Sequence, residues 1–288
     1  MSSTLIGALA AVPWVAVPVA VLWQLRGSKA LGEYSPDPPA DAPPELLTRS
    51  MNAVRVRGAD LLSIAGAQDM ETFWERLLQP HILALILARY GNTERLSRST
   101  DPYAKIANGQ YMLMRRDAYD AAGGHAAVRT HVAEDLRMAQ EWCRLGLSVQ
   151  LVEGFDHLTT RMYHGFAELA RGWGKNLYAA GRDTLRLGPL GSKVLRVAFP
   201  LPALWEIVPA GVLIASLFGA VRPAAGAWAA IAYAASTCSW VAIHSVLRAP
   251  LWHALLHPLA AIALSGILAR AAWRGDRVEW KGRVYVSR

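Results

Sequence analysis

Leu5 to Leu25 is an uncharged apolar run, and three more apolar stretches close the chain, near Leu201–Val221, Ala224–Leu247 and Leu251–Trp273. Each approaches the roughly 20 residues that a membrane's hydrocarbon core requires. Between them the periodicities are shorter. Leu46, Leu47, Met51 and Val54 recur at helical spacing, Ala59–Ile64 reads as a strand, and Glu71–Tyr90 reads as a helix carrying Phe73, Trp74, Leu77 and Leu78, with a kink at Pro80. The second half of that helix, Ile82–Leu87, is too short to span and either packs in the core or touches the bilayer surface. Gln110–Met114 suits a buried strand, and Asp117 caps a brief helix that stops at Gly123-Gly124. A longer helix begins at Thr130 or His131 with Val132, Leu136, Ala139 and Cys143 on one face, and Ser148–Val152 alternates as a strand. Strand, helix, strand in this order predicts a small α/β domain.

The same pattern divides the chain. Residues 1–26 form an N-terminal anchor, 27–44 a proline-rich linker, 45–160 the α/β domain, 161–196 an amphipathic segment, 197–273 a transmembrane bundle and 274–288 a basic tail. Met1-Ser-Ser-Thr lacks the basic start of a cleavable signal, so the first run is expected to remain as an anchor. Arg26 and Lys29 place the domain after the anchor in the cytoplasm, while Arg274, Arg277, Lys281 and Arg283 favour the same side for the tail. One anchor plus three spans contradicts that, so either one stretch is re-entrant or the charge rule fails at the tail. Along Tyr163–Arg182, the residues Tyr163, Phe166, Ala170, Trp173 and Leu177 form one stripe, and His164, Glu168, Arg171, Lys175 and Arg182 form another. This is the pattern of a helix lying in a membrane interface, or of a surface helix packed on the domain.

Composition agrees with the membrane reading, since 53% of residues are hydrophobic and 18% charged. The formal charge of +8 gathers beside the apolar stretches, with no aromatic-and-basic platform or helix-turn-helix pattern. Nucleic acid is therefore excluded as a partner, and anionic lipid headgroups are expected instead. Cys143 and Cys238 fall in a helix and a span, which argues against a disulfide.

The chemistry-bearing residues cluster between 108 and 176. Asn108-Gly-Gln-Tyr-Met-Leu-Met-Arg-Arg-Asp117 runs on to Gly123-Gly124-His125, Glu134-Asp135 comes next, then Arg161-Met-Tyr163 and Gly172-Trp-Gly-Lys-Asn176. As an ordered set these motifs resemble the membrane-bound family 2 glycosyltransferases, above all those that glycosylate carotenoid acids and hopanoid- or ceramide-like lipids. The ending Glu279-Trp-Lys-Gly-Arg-Val-Tyr285 resembles their tail. The resemblance implies an α/β fold, a partial GT-A-like domain joined to transmembrane helices, with one N-terminal anchor and about three C-terminal spans. It implies transfer of a sugar from a nucleotide-sugar to a membrane lipid acceptor at the cytoplasmic face of a bacterial inner membrane.

On this resemblance Asp135 is the general base, because an attacking hydroxyl must lose its proton, and Glu134 is its neighbour. Adjacent helical carboxylates point about 100° apart, so one of the two should face the site. Asn108, Gln110, Arg115, Arg161, Arg171 and Trp173 are the candidates for acceptor or donor-phosphate contacts, with Arg161 reaching either a phosphate or Asp135. The family also implies Mg²⁺ or Mn²⁺ on an Asp-x-Asp motif. No Asp-x-Asp occurs in the chain, and the linker runs directly into Pro44-Glu45-Leu46-Leu47, which resembles the helix after that motif. The expectation is that the donor and metal sites are missing, through an internal deletion or a faulty gene model joined near Pro39–Pro44. A half-sheet of this kind should expose its edges. Two readings from different classes stand side by side: a lipid glycosyltransferase whose turnover lacks its usual stabiliser of leaving-group charge, or a non-catalytic membrane protein that binds lipid or a full-length relative.

Overall fold

The computed structural model describes residues 45–184 and 205–274, the backbone of 277–280 and 283–286, and the single positions 19, 23, 194 and 201. The expected N-terminal anchor, the proline linker and most of 185–204 lie outside the described residues. Helix α1 (Glu45–Arg57) leads into strand β1 (Leu61–Ala65) and then the short β2 (Ala67–Gln68). Helix α2 (Phe73–Tyr90) and α3 (Thr93–Arg98) precede β3 (Met112–Met114) and α4 (Arg116–Ala121). Then come α5 (Glu134–Arg144), β4 (Val149–Glu153), β5 (Thr159–Thr160) and α6 (Phe166–Thr184). The chain ends in α7 (Ile207–Leu217), α8 (Pro223–Val246), α9 (His257–Arg274) and the antiparallel pair β6 (Arg277–Trp280) and β7 (Arg283–Val286).

The expected α/β domain is built on a three-stranded sheet in the order β3-β1-β4, with β1 antiparallel to β3 and parallel to β4. Central strand β1 is buried on both faces, which is why its sequence does not alternate. Leu62 and Ile64 pack with Ala53 and Val152 under α1, and Leu61 packs with Met138, Ala139 and Trp142 of α5. Two edges remain, and β4's is closed by side chains. The Leu151 N–H donates to Ser97 Oγ at 3.1 Å, and that hydroxyl lies 3.2 Å from Leu151 O. Lys105 Nζ, buried with its residue, donates to Val149 O at 3.0 Å and to Ser97 O at 2.8 Å. A serine and a lysine thus take the place of a neighbouring strand, which corrects the expectation of exposed edges for this side of the sheet.

Several local expectations shift. A 3₁₀ turn at Gly124–Val128 intervenes, so the helix starts at Glu134 and Val132 lies before it. Its buried residues are Leu136, Met138, Ala139, Gln140 and Trp142, while Cys143 is only partly covered and lies 3.4 Å from Thr100 O. Asp117 does not cap α4; the cap position is Arg115, to which Asp117 is ion-paired. Helix α2 continues through Pro80, which is buried with its neighbours Leu77, Leu78 and Ile82. It is started by a capping box in which Thr72 Oγ1 accepts the Glu75 N–H and Glu75 accepts the Thr72 N–H.

Two helical stretches near the C-terminus, Pro223–Val246 and Leu251–Arg274, are long and apolar enough to cross a membrane. Helix α7, with 11 residues, extends only about 16 Å. The stripe of α6 turns inward. Tyr163, Leu169, Trp173 and Leu177 pack against Leu77, Leu78 and Ile82 of α2 and against Ala260, Leu264, Ile267 and Leu268 of α9. Phe166 from the expected stripe stays exposed.

Removing the Ser97 hydroxyl strands the Leu151 N–H on a covered edge, so Ser97→Ala should cost about 1–3 kcal/mol. Denaturant unfolding in detergent micelles reads this directly, and a midpoint equal to wild type would show that the hydroxyl does not close the sheet.

Candidate functional site

The C-terminal end of β1 supports a turn that starts at Asn108. Ser63, fully buried, accepts the Asn108 N–H at 2.7 Å and lies 3.1 and 3.2 Å from the carbonyl oxygens of Asn108 and Tyr111. Asn108 Nδ2 donates to Ile64 O at 3.1 Å and to Gln110 Oε1 at 3.2 Å, and Gln68 and Gln110 are joined by their amides. So anchored, the turn aims the Gly109 N–H at Asp135 Oδ2, 2.9 Å away. The other oxygen, Oδ1, accepts the Leu136 N–H at 2.8 Å. The approach favours glycine, since a Cβ at position 109 would stand 3.0 Å from Asp135 Oδ2 and the carboxylate would have to give way by a few tenths of an ångström.

Asp135 lies on the border of two cavities. One, of about 270 Å³, has apolar walls from Leu83, Ile86 and Leu87 of α2, Phe155 and Met162, and Leu177 of α6. Its polar groups include Asn108, Gln110, Asp135 and Arg248. The other, of about 210 Å³, is lined by His125, Glu134, Asp135, Lys175 and Asn176 together with Gly109 and Met112. Of the two adjacent carboxylates, Asp135 borders both spaces and Glu134 only the second, as their angular separation on α5 demands.

Helix α6 forms the opposite wall. Trp173, Asn176, Leu177 and Ala180 line the apolar cavity at i, i+3, i+4 and i+7. The Trp173 indole N–H is buried without a hydrogen-bond partner among the described residues. Glycines on either side bring this helix close: a Cβ at Gly172 would clash with the Tyr163 ring, and one at Gly174 would stand 3.3 Å from an Arg274 nitrogen. At the rim, Arg248 in the loop between α8 and α9 has a φ of 56°, the one non-glycine residue with positive φ among those described. Its guanidinium donates to Asp156 Oδ1 at 2.6 Å and to Phe155 O at 3.4 Å.

Of the residues singled out in the sequence, Asn108, Gln110, Glu134, Asp135 and Trp173 line one or both cavities. Arg115 does not. Antiparallel pairing sets it at the opposite end of β1, where it bonds Asp60 at 3.1 Å and pairs with Asp117. Arg161 reaches neither a cavity nor Asp135, because Glu71 and Glu75 at the start of α2 hold it, the latter at 3.3 Å. Arg171 is exposed on α6 and lines neither space. The fold adds Asn176, Lys175 and Arg248, which the sequence does not single out as site residues. Asn176 and Lys175 belong to the Gly172–Asn176 motif, and helical spacing from Trp173 is the signal that could have found Asn176. Among the described residues no group of three or more His, Cys, Asp or Glu side chains could hold a metal ion.

Asp135 is thus a carboxylate that borders a polar and an apolar chamber. The sequence model described as Glycosyl transferase family 21 matches residues 67–288, well over half of the chain, and the chain belongs to that family. Among curated relatives, the 4,4'-diaponeurosporenoate glycosyltransferases of Staphylococcus aureus strains USA300, Newman and COL are each 33% identical to it over 79 residues. That match covers 27% of this chain and 21% of theirs, so the chain spans about a fifth of the length of these relatives. No solved structure matches. The resemblance to glycosyltransferases of the carotenoid and lipid type holds, with family 21 as the matching description where the motifs resembled family 2.

The Arg161 cluster has a measurable pH signature. Burial pushes the Glu75 carboxyl up, but the Thr72 N–H and the Arg161 guanidinium outweigh it, and the group titrates below its usual 4.5. A folded-state value below the unfolded one gives stability that is complete above the unfolded value and lost as pH falls through the lower folded value. Glu75→Gln should be less stable than wild type at pH 7 and should lose stability less steeply below pH 4.5. Parallel acid-denaturation curves would exclude this assignment.

Proposed function

We propose that this chain transfers a sugar from a nucleotide-sugar to the hydroxyl of a membrane lipid, with Asp135 as general base. The observation that carries the reading is the position of Asp135 on the border of an apolar and a polar cavity. The lipid's first carbons would occupy the apolar side and the sugar the polar side. In the transfer step the acceptor hydroxyl gives its proton to Asp135 as its oxygen bonds the anomeric carbon. The bond from that carbon to the diphosphate breaks, and its electron pair leaves on the diphosphate. No residue of this chain is assigned to the divalent ion. Gly109 and Leu136 orient the carboxylate, and Trp173 offers a buried N–H to a bound oxygen. The two apolar helical stretches would hold this site at the bilayer, on the cytoplasmic side by the charge pattern around the expected anchor.

A second reading is a non-catalytic protein that binds lipid or a full-length relative, and it rests on the sequence's lack of an Asp-x-Asp motif. Transfer of a radiolabelled sugar to extracted lipid separates the two. Asp135→Asn should lower turnover by about 10²–10⁴-fold. Gly109→Ala should also lower turnover, by displacing the carboxylate. Undiminished transfer in Asp135→Asn would rule out the base, and no transfer by wild type with a panel of UDP- and GDP-sugars would leave the binding protein.

A further inference from the structure

Helix α6 presents Asn176 to the same two cavities as Asp135 of α5. Apart from Ala133 these are the only two of the described residues that line both, so they border the place where the chambers meet. The Asn176 side chain has no hydrogen bond to another described residue, although Trp173 and Leu177 beside it are buried.

As a base, Asp135 can only accept: it takes the proton of a bound hydroxyl and offers nothing to the oxygen's lone pairs. Between apolar walls an oxygen without a donor carries a desolvation cost. Side-chain donors away from α6, such as Asn108, Gln110 and Arg248 in the apolar chamber and His125 in the polar one, each line a single chamber. Lys175 lines only the polar chamber and the Trp173 indole only the apolar one, which leaves the amide of Asn176 at the junction.

We propose that Asn176 is the residue that donates to the hydroxyl oxygen of a lipid alcohol while Asp135 accepts its proton, so that the pair selects acceptors ending in a hydroxyl. This rests on the apolar chamber being the acceptor site. It adds a discrimination that a merely greasy cavity lacks, since an alkane of equal length fills the walls and leaves both polar groups unmatched.

The test is binding, independent of turnover. The full chain, purified in a non-ionic detergent, is loaded with a pyrene-labelled alkyl chain, which 1-dodecanol or dodecane then displaces. Wild type should prefer the alcohol by about tenfold, the value of one well-made hydrogen bond in a covered site. Asn176→Leu should reduce the preference severalfold and leave dodecane displacement unchanged, and Asn176→Gln, which keeps the amide, should retain more of it. A preference undiminished in Asn176→Leu overturns the assignment, as does equal loss of both ligands, which would mark a packing role. Equal displacement by both ligands in wild type overturns it while the apolar acceptor chamber stands. Displacement by neither overturns the acceptor chamber as well.

Discussion

One buried hydroxyl on the central strand governs how the site is held. Ser63 sits among Leu61, Leu62 and Ile64, where an unbonded polar group would carry a desolvation cost of about 1–3 kcal/mol. Its partners all belong to the turn at Asn108–Tyr111. Because the strand is buried on both faces, the turn inherits its rigidity, and the Gly109 N–H meets Asp135 at a set distance. The carboxylate oxygens are thus fixed by two backbone N–H groups, one from the turn and one from α5's own first turn. Backbone donors have no rotamers to lose, so the arrangement is preorganised before any ligand arrives.

The helices share this sparing use of parts. Tyr163, Leu169, Trp173 and Leu177 belong to a core that also contains α2 and α9. Helix α9 is therefore bifacial: Ala260, Leu264 and Ile267 pack inward, while Leu255 just before it, and Leu259 and Ile262 along it, lie open. An apolar helix with one face in the α/β domain's neighbourhood and the other uncovered joins the site to an exposed apolar surface without a linker. The apolar chamber lies in this shared volume, which explains why residues from α2, α6 and the loop at Leu247-Arg248 all line it.

How much was legible in the sequence depends on which forces are local. Helices α1, α2 and α5 and strand β4 were visible because their apolar positions repeat with the period of the element, and β1 and β3 because they are short apolar runs. The ends were less so: α5 begins at Glu134, past the expected start at Thr130 or His131. The edge closure by Ser97 and Lys105 was invisible, since a polar side chain 54 residues from its backbone partner leaves no periodic trace. Asp135, Glu134, Asn108 and Gln110 were legible as an ordered set of motifs. Arg115 was misplaced for a geometric reason: it is near Asn108 in sequence, but an extended strand carries it to the far end of the sheet. Arg161 was misplaced because two carboxylates at the start of α2, distant in sequence, claim it first.

Asn176 shows the opposite failure. Read as a stripe, α6 sorts into apolar and charged faces, and a neutral amide among Trp173 and Leu177 looks like an imperfection in the pattern. In the fold it is where the wall passes from one chamber to the other, so the imperfection coincides with a change of solvent character. A core face tolerates an amide only where something polar meets it, and the groups that could meet it here are Asp135 and whatever occupies the junction. Polar interruptions of an otherwise buried helix face are therefore better guides to this site than its arginines, whose exposed or ion-paired positions arise from solvation and carboxylate neighbours alone.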